Sequence, residues 1–324
     1  MQGSLISIII PVYNRGNLIE KTLNSIEEQS HHNWECIIVD DWSIDTTEDV
    51  VKRYIESDKR FKYFKRPLDK PKGANACRNY GFTKAKGEFI QWFDSDDLMH
   101  PDLLKLQLEN LHTSNKKISI CNFSFFNNTH KPSFEKGFNP LKKEMSEQNA
   151  LSSFVSGKLI LNTQVIMFQA EMVQDVIFNE ELYRAQDLDF VFRVMIKFQD
   201  QWNFLDKTLV SIRRHEQSIT GDFKKRSLKL VESELYVRKM IWENFVNDKD
   251  QEAAFAGTLK MYLTAMKYLL YVKSYRKFFK HLLIIFQKVS KKNKLLSTQI
   301  LAIAIMYIIT NKGIVAYQNC LNKI

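Results

Sequence analysis

The chain has 324 residues, is 44% hydrophobic and 12% aromatic with only ten glycines and six prolines, and carries a formal charge of +10. Such a length and composition suit one large domain with an appendage and exclude a mainly disordered or low-complexity chain; no tandem repeat is visible. The four cysteines, Cys36, Cys77, Cys121 and Cys320, stand far apart with no C-x-x-C pair, which argues against a zinc knuckle or a disulfide framework and fits a reducing cytoplasm.

Met1 to Ser7 lack the basic segment, apolar core and small-residue cleavage site of a secretory signal, so a cytoplasmic location is expected. The first third then alternates short apolar runs with amphipathic stretches, the pattern of βα units and a mostly parallel sheet. Strands are predicted at Leu5–Val12, Glu35–Asp40, Phe61–Lys65, Glu88–Phe93 and Ile118–Phe126. Between them, Leu18, Thr22, Leu23 and Ile26 share one helical face, Asp45 suits the N-cap of a helix through Ile55, and Pro101 suits the first turn of a helix through Leu111. From about 130 to 222 the pattern is α+β: a polar loop near Thr129 to Pro140, a helix after Ser146, a strand over Leu159–Gln169, a helix over Asp187–Lys197 and a strand over Phe204–Arg213. The remainder is helical and basic. A domain covering 1–222 is therefore expected, with a βα part over 1–125 and an α+β part over 126–222, followed by a helical region over 223–324.

Charge is divided unevenly along the chain. After Glu252 there is no acidic residue, while twelve basic ones follow; the rest holds 35 basic against 37 acidic residues, a body at −2. In the tail, Tyr275, Phe278, Phe279, Leu282, Phe286 and Val289 recur at helical spacing opposite Arg276, Lys277, Lys280, Lys288 and Lys291. An amphipathic basic helix of this kind suits an anionic membrane surface, here through 270–310, or a helical bundle with a solvated basic face. The uncharged stretch Leu295–Thr310 is shorter than the roughly 20 residues of a simple spanning helix. No zinc-finger or RNA-binding signature points to nucleic acid.

The chemistry-bearing residues lie at strand ends. In open α/β sheets ligands bind outside the carboxyl ends of the strands, and Tyr13, Asp40, Asp41 and Asp94 to Asp97 all fall there. Asp94, Asp96 and Asp97 place three carboxylates within four positions, a concentration of charge that suits a hard divalent cation such as Mg²⁺ or Mn²⁺ bound jointly with phosphate oxygens. An acidic turn capped by Asp97 is the structural alternative.

These segments together resemble glycosyltransferase family 2, with the GT-A fold: a Rossmann-like, mostly parallel sheet flanked by helices. The resemblance rests on Ser7 to Asn14, Ile38 to Thr47, Lys72 to Gly81, Lys86 to Asp97 and, more loosely, Gln186 to Asp189. It implies an inverting hexosyltransferase-type enzyme of polysaccharide biosynthesis, moving a sugar from a nucleotide-diphospho-sugar, specifically a UDP-sugar, to a glycan or lipid-linked glycan. It also implies the roles, with 1–125 binding the nucleotide-sugar and 126–222 forming the acceptor side. Pro11, Val12 and Tyr13 line the base and ribose pocket, Asp41 reads the uracil N–H, and Arg78 approaches the base or diphosphate. Asp94 and Asp96 form the D-x-D element holding Mn²⁺ or Mg²⁺, with Ser95 between them in the donor site. Asp187 is the general base with Asp189 as the alternative, and His215, in Arg213 to Ser218, completes the metal site.

Two departures accompany the resemblance. Trp42 and Ile44 stand where the family usually has Gly and Thr, which implies a loop without the tight turn a glycine permits. Gln186 replaces the glutamate that usually precedes the base. These departures keep a catalytically silent nucleotide-sugar or glycan-binding module in view, and Asp187 and His215 each also fit structural roles. A nucleotidyltransferase on a similar fold would need a Gly-rich basic loop after the first strand, and Pro11 to Asn14 are the wrong chemistry for one.

Overall fold

Buried aliphatic runs set the centre of the sheet. In the computed structural model, which describes residues 3–127, 130–138, 147–214, 227–246, 252–291 and 294–310, strand β1 (Ile6–Val12) is buried along its whole length. It pairs in parallel with β2 (Trp34–Asp40) on one side and β4 (Phe89–Trp92) on the other. Strands buried on both faces read as continuous β-branched runs, and Ile-Ser-Ile-Ile-Ile-Pro-Val is one. β3 (Phe61–Lys65) extends the parallel set. Beyond β4 the sheet turns mixed: β7 (Ile166–Gln169) runs antiparallel to β4 and to β6 (Ile118–Phe126). β6 pairs in parallel with β8 (Trp202–Arg213), which holds the two-residue β5 (Leu98–Met99) at the edge. The order is β3-β2-β1-β4-β7-β6-β8-β5, the mostly parallel α/β sheet expected.

Helices α1 (Ile19–Glu27), α2 (Thr47–Ser57), α3 (Ala74–Lys84), α4 (Leu103–Ser114), α5 (Glu147–Val155) and α6 (Gln186–Lys197) connect these strands. The Asp45 carboxylate accepts from the Thr47 amide at 3.0 Å and from the Gly16 amide at 3.0 Å, so it tethers the β1 loop as well as the start of α2. Thr46 rather than Asp45 occupies the N-cap position of α2, which runs on to Ser57, β8 begins at Trp202 instead of Phe204, and two further boundaries differ from the sequence reading. Pro101 stands before Asp102, the N-cap of α4, rather than in its first turn. The strand expected over Leu159–Gln169 is confined to β7, because Thr163–Val165 wind into a 3₁₀ turn that points their polar groups into the domain.

The chain forms two compact units, Met1–Leu151 with Ile160–Gly221, and Ser152–Leu159 with Asp222–Ile324. The second contains α7 (Leu228–Phe245), α8 (Glu252–Tyr271), α9 (Tyr275–Val289) and α10 (Lys294–Thr310). Ser227 caps α7 by accepting from the Leu230 amide. Trp242, Tyr262, Leu263, Phe278, Leu282 and Ile285 are buried there. Lys288 of α9 bonds Glu243 of α7 at 2.7 Å, and Lys277 bonds Glu232, so the acids of α7 offset part of the tail's positive charge. Among the described residues no helix is long and apolar enough to cross a membrane.

Helix α3 lies directly on β1 and β2. A Cβ at Gly81 would stand 2.5 Å from Ile9 Cγ2 and 3.3 Å from Val39 Cγ2, and both of those residues are fully buried. Overpacking a rigid core costs about 1–3 kcal/mol, more than the roughly 1 kcal/mol that alanine gains over glycine in a helix. Gly81→Ala is therefore expected to lower the thermal unfolding midpoint, and an unchanged or raised midpoint would show that α3 can lift away from the sheet.

Candidate active site

The two aspartates that close β2 do different work. Asp40 accepts from the Ser43 amide at 2.8 Å, the Ser43 hydroxyl at 2.7 Å and the Tyr63 hydroxyl at 2.5 Å, so its charge goes into shaping the following loop. Asp41 accepts from Arg66 Nε at 2.5 Å, and both side chains are buried. Arg66 stands immediately after β3, and its Nη1 also donates to the carbonyls of Pro67, at 2.8 Å, and Lys70. The sequence reading missed it, although a basic residue at the carboxyl end of a parallel strand is where ligand or site contacts gather.

The β2 loop makes its tight turn without glycine. Trp42 adopts φ +63°, a left-handed conformation that costs a bulky residue on the order of 1–3 kcal/mol. Its indole N–H donates to the Arg66 carbonyl at 2.9 Å and the Lys65 ammonium sits 5.4 Å from its ring centroid, contacts that hold the strained residue in place. The missing glycine thus does not remove the turn. Across the loop, Asn14, at φ +48°, accepts from the Ile44 amide at 2.9 Å. Pro11 and Val12 are buried in the sheet, whereas Tyr13 is 38% exposed and has the Lys72 ammonium 4.0 Å from its ring centroid.

The acidic cluster closes β4. Asp94 accepts from Arg78 Nη2 at 2.8 Å and from the amide of Gln164. Arg78 is buried on α3, bonds Asn75 Oδ1 at 3.1 Å and Gln186 Oε1 at 3.4 Å, and lies over the Phe178 ring. The glutamine that replaces the usual glutamate therefore still reaches the arginine, but as a neutral acceptor. Asp96 pairs with Arg15 Nε at 3.5 Å, and Ser95 between the two aspartates is buried. Asp97 does not cap α4. It is buried, accepts from the Arg213 amide at 2.8 Å and from Gln164 Nε2 at 3.1 Å, and its carbonyl accepts from Thr22 Oγ1 at 2.9 Å. Burial, then the neighbouring Asp96 and Asp94 charges, push its carboxyl well above the usual aspartate range.

Asp187 stands in the first turn of α6 and accepts from Thr163 Oγ1 at 3.2 Å. It is near enough to Asp94 and Arg78 to perturb both electrostatically. The alternative base, Asp189, is buried and bound to Arg193 at 2.6 Å. The structure thus gathers Asp94, Asp96, Arg78 and Asp187 at one end of the sheet. His215 lies outside the described residues. Among the described residues no three His, Cys, Asp or Glu side chains form a metal cage. Asp94 and Asp96 alone fit the sparse protein contribution typical of Mg²⁺-type sites, in which phosphate oxygens and water supply the other ligands.

Burial, followed by the Asp187 and Asp96 charges, outweighs Arg78 and pushes the Asp94 carboxyl up to about 6 from 3.8. The folded protein therefore holds this proton more tightly than the unfolded chain. The stability this group contributes is complete below the ordinary value of 3.8 and is lost as pH rises through about 6. In metal-free protein, the unfolding midpoint of Asp94→Asn relative to the parent is expected to improve between pH 4 and pH 7. A constant difference over that range would contradict the crowding of Asp94 by its neighbours.

Residues 7–163 match the model of Glycosyl transferase family 2. Over 121 residues the chain is 39% identical to TuaG of Bacillus subtilis (strain 168), named for teichuronic acid biosynthesis, with 37% of this chain and 45% of that one covered. It is 30% identical over 179 residues to the GalNAc(5)-diNAcBac-PP-undecaprenol beta-1,3-glucosyltransferase of Campylobacter jejuni, covering 55% and 56%. The chain spans about half the length of such curated relatives. Two solved structures share the fold: S. aureus TarS 1-349 in complex with UDP-GlcNAc, with TM-score 0.54, 19% identity and coverage of 81% and 82%, and the mannosyltransferase PcManGT from Pyrobaculum calidifontis in complex with GDP-Man and Mn²⁺, with TM-score 0.55, 16% identity and coverage of 98% and 85%. With the family match, the named relatives and this sheet architecture together, residues 7–163 are a region similar to glycosyltransferase family 2, within a chain that has the GT-A fold.

Proposed function

We propose that the chain transfers one sugar from a nucleotide-diphospho-sugar, with UDP as the nucleotide, to a glycan or lipid-linked glycan, with inversion at the anomeric carbon. The observation that carries this reading is the convergence of Asp94, Asp96, Arg78 and Asp187 at the carboxyl ends of the strands. Relatives support it in kind: the named substrate of the Campylobacter protein is lipid-linked, and the two structural neighbours hold UDP-GlcNAc and GDP-Man.

The residues divide the reaction as follows. The acceptor hydroxyl oxygen attacks the anomeric carbon on the face opposite the diphosphate, the bond from that carbon to the phosphate oxygen breaks, and the hydroxyl proton passes to the Asp187 carboxylate. The buried guanidinium of Arg78 offers charge and directed N–H groups to the diphosphate. A divalent ion, Mn²⁺ or Mg²⁺, held by Asp94 and Asp96, would supply charge neutralisation to the leaving diphosphate. Asp41 spends Oδ1 on Arg66, so Oδ2 is the oxygen available to a base N–H, and the exposed Tyr13 ring offers a stacking face.

The helical unit supplies the proposed membrane contact. On α9, Tyr275, Phe279 and Leu283 are 48%, 45% and 56% exposed at i, i+4 and i+8, and exposed Arg276 and Lys280 flank them. Apolar groups between cations suit the headgroup region of an anionic bilayer. Of the rest of the predicted apolar face, Phe278, Leu282 and Val289 are buried in the bundle and Phe286 is half-buried, so the contact is narrower than the periodicity alone implies.

A panel of UDP- and GDP-sugars with Mn²⁺ and a lipid-linked acceptor tests the reaction. Turnover is expected with a UDP-sugar, Asp187→Asn is expected to lower it by about 10²–10⁴-fold with UDP binding retained, and Asp96→Ala is expected to abolish the response to Mn²⁺. Full activity of Asp187→Asn would remove the base, and no turnover with any donor would favour a silent binding module. In a flotation assay with phosphatidylglycerol vesicles, the triple change Tyr275→Ser, Phe279→Ser, Leu283→Ser is expected to reduce binding; unchanged flotation would reject this surface.

A further inference from the structure

Asp94 and Asp187 come from distant parts of the chain, yet consecutive residues hold both. Thr163 and Gln164, buried in the 3₁₀ turn before β7, carry those bonds: Thr163 Oγ1 donates to Asp187 Oδ1 at 3.2 Å, and Gln164 Nε2 donates to Asp94 Oδ2 and, at 3.1 Å, to Asp97 Oδ2. The turn is itself anchored. The Gln164 carbonyl accepts from Gln91 Nε2 at 2.8 Å, and Gln91 Oε1 accepts from Gln107 Nε2 at 3.3 Å, so three buried glutamines tie it to β4 and α4. Gln164 Oε1 has no hydrogen-bond partner. Packing alone does not favour a buried amide with a bare carbonyl; the side chain's donor capacity is committed to two carboxylates instead.

We infer that Thr163 and Gln164 are a positioning pair for the proposed transfer, Thr163 setting the orientation of the base Asp187 and Gln164 that of the ion-holding Asp94. Neither residue touches the reacting atoms; each acts through the carboxylate it bonds. One rigid turn thereby fixes the spacing between the group that takes the acceptor's proton and the group that grips the donor's diphosphate, the kind of spacing to which displacement rates are sensitive. This inference rests on the glycosyl-transfer reading.

The test uses the full chain with two readouts: steady-state transfer from a UDP-sugar, and calorimetric binding of Mn²⁺ in the presence of UDP. Thr163→Val is expected to lower kcat about tenfold with donor KM changed less than twofold and Mn²⁺ binding unaltered, and Thr163→Ser to restore kcat. Gln164→Met is expected to weaken Mn²⁺ binding about tenfold; Gln164→Asn, too short to reach Asp94, serves the same purpose if the methionine variant does not fold. The inference is overturned if Thr163→Val keeps the parental kcat, if serine rescues no better than valine, or if Mn²⁺ binding is indifferent to Gln164. Failure of the parent to turn over any donor would sink the enzymatic reading, whereas the Mn²⁺ titration would still decide the role of Gln164.

Discussion

Like charge crowded at the carboxyl end of β4 is the constraint around which this domain is arranged. Asp94, Asp96 and Asp97 leave one strand, and Asp187 approaches from α6. The fold manages them differently. Asp97 is withdrawn into the core, where burial favours its protonated form and the Arg213 amide and Gln164 bond it. Asp94 and Asp96 are only partly buried, with Arg78 and Arg15 as counter-charges. At the other end of the sheet, burial also opposes the charge of Glu35, but bonds from Lys62, Ser7 and the Lys86 amide outweigh it and hold its carboxyl below the usual range. One end of the sheet has settled its charge. The other keeps a surplus that a cation and a phosphate-bearing ligand would complete.

The mixed half of the sheet is what brings the remaining groups to this end. β7 and β6 are antiparallel neighbours, and β8 runs parallel to β6, so the end of β8 delivers the Arg213 amide to Asp97 and the turn before β7 delivers Thr163 and Gln164. Asp97 in turn binds α1 through Thr22. It is therefore a structural hub beside the pair proposed to hold the ion.

Much of this was legible because the signals were local. Aliphatic runs bounded by polar residues gave the β3 and β6 limits as observed and those of β1, β2 and β4 to within one residue. The D-x-D element and Asp187 could be named from spacing and resemblance. What escaped were residues whose work depends on long-range neighbours. Arg66 looks like one more surface cation until β2 and β3 bring it to Asp41. Gln164 sits inside a stretch whose composition suits a strand, and only the turn reveals its aim at Asp94 and Asp97. Trp42 misled in the opposite direction: the absence of glycine suggested an open loop, yet the indole bond to the Arg66 carbonyl holds a left-handed turn. The tail's periodicity marked a helix correctly but could not say that packing against neighbouring helices, α8 and α10 among them, buries half of its apolar face.

In the proposed transfer the Asp94 and Asp96 carboxylates would share a divalent ion with a nucleoside diphosphate. Crystals grown with UDP and Mn²⁺, measured at the manganese absorption edge, test it most directly. A single strong anomalous peak at coordination distance from Asp94 or Asp96 and from both phosphates of UDP is predicted. UDP bound at the strand ends with no manganese beside either carboxylate, or manganese and nucleotide bound elsewhere, would contradict it.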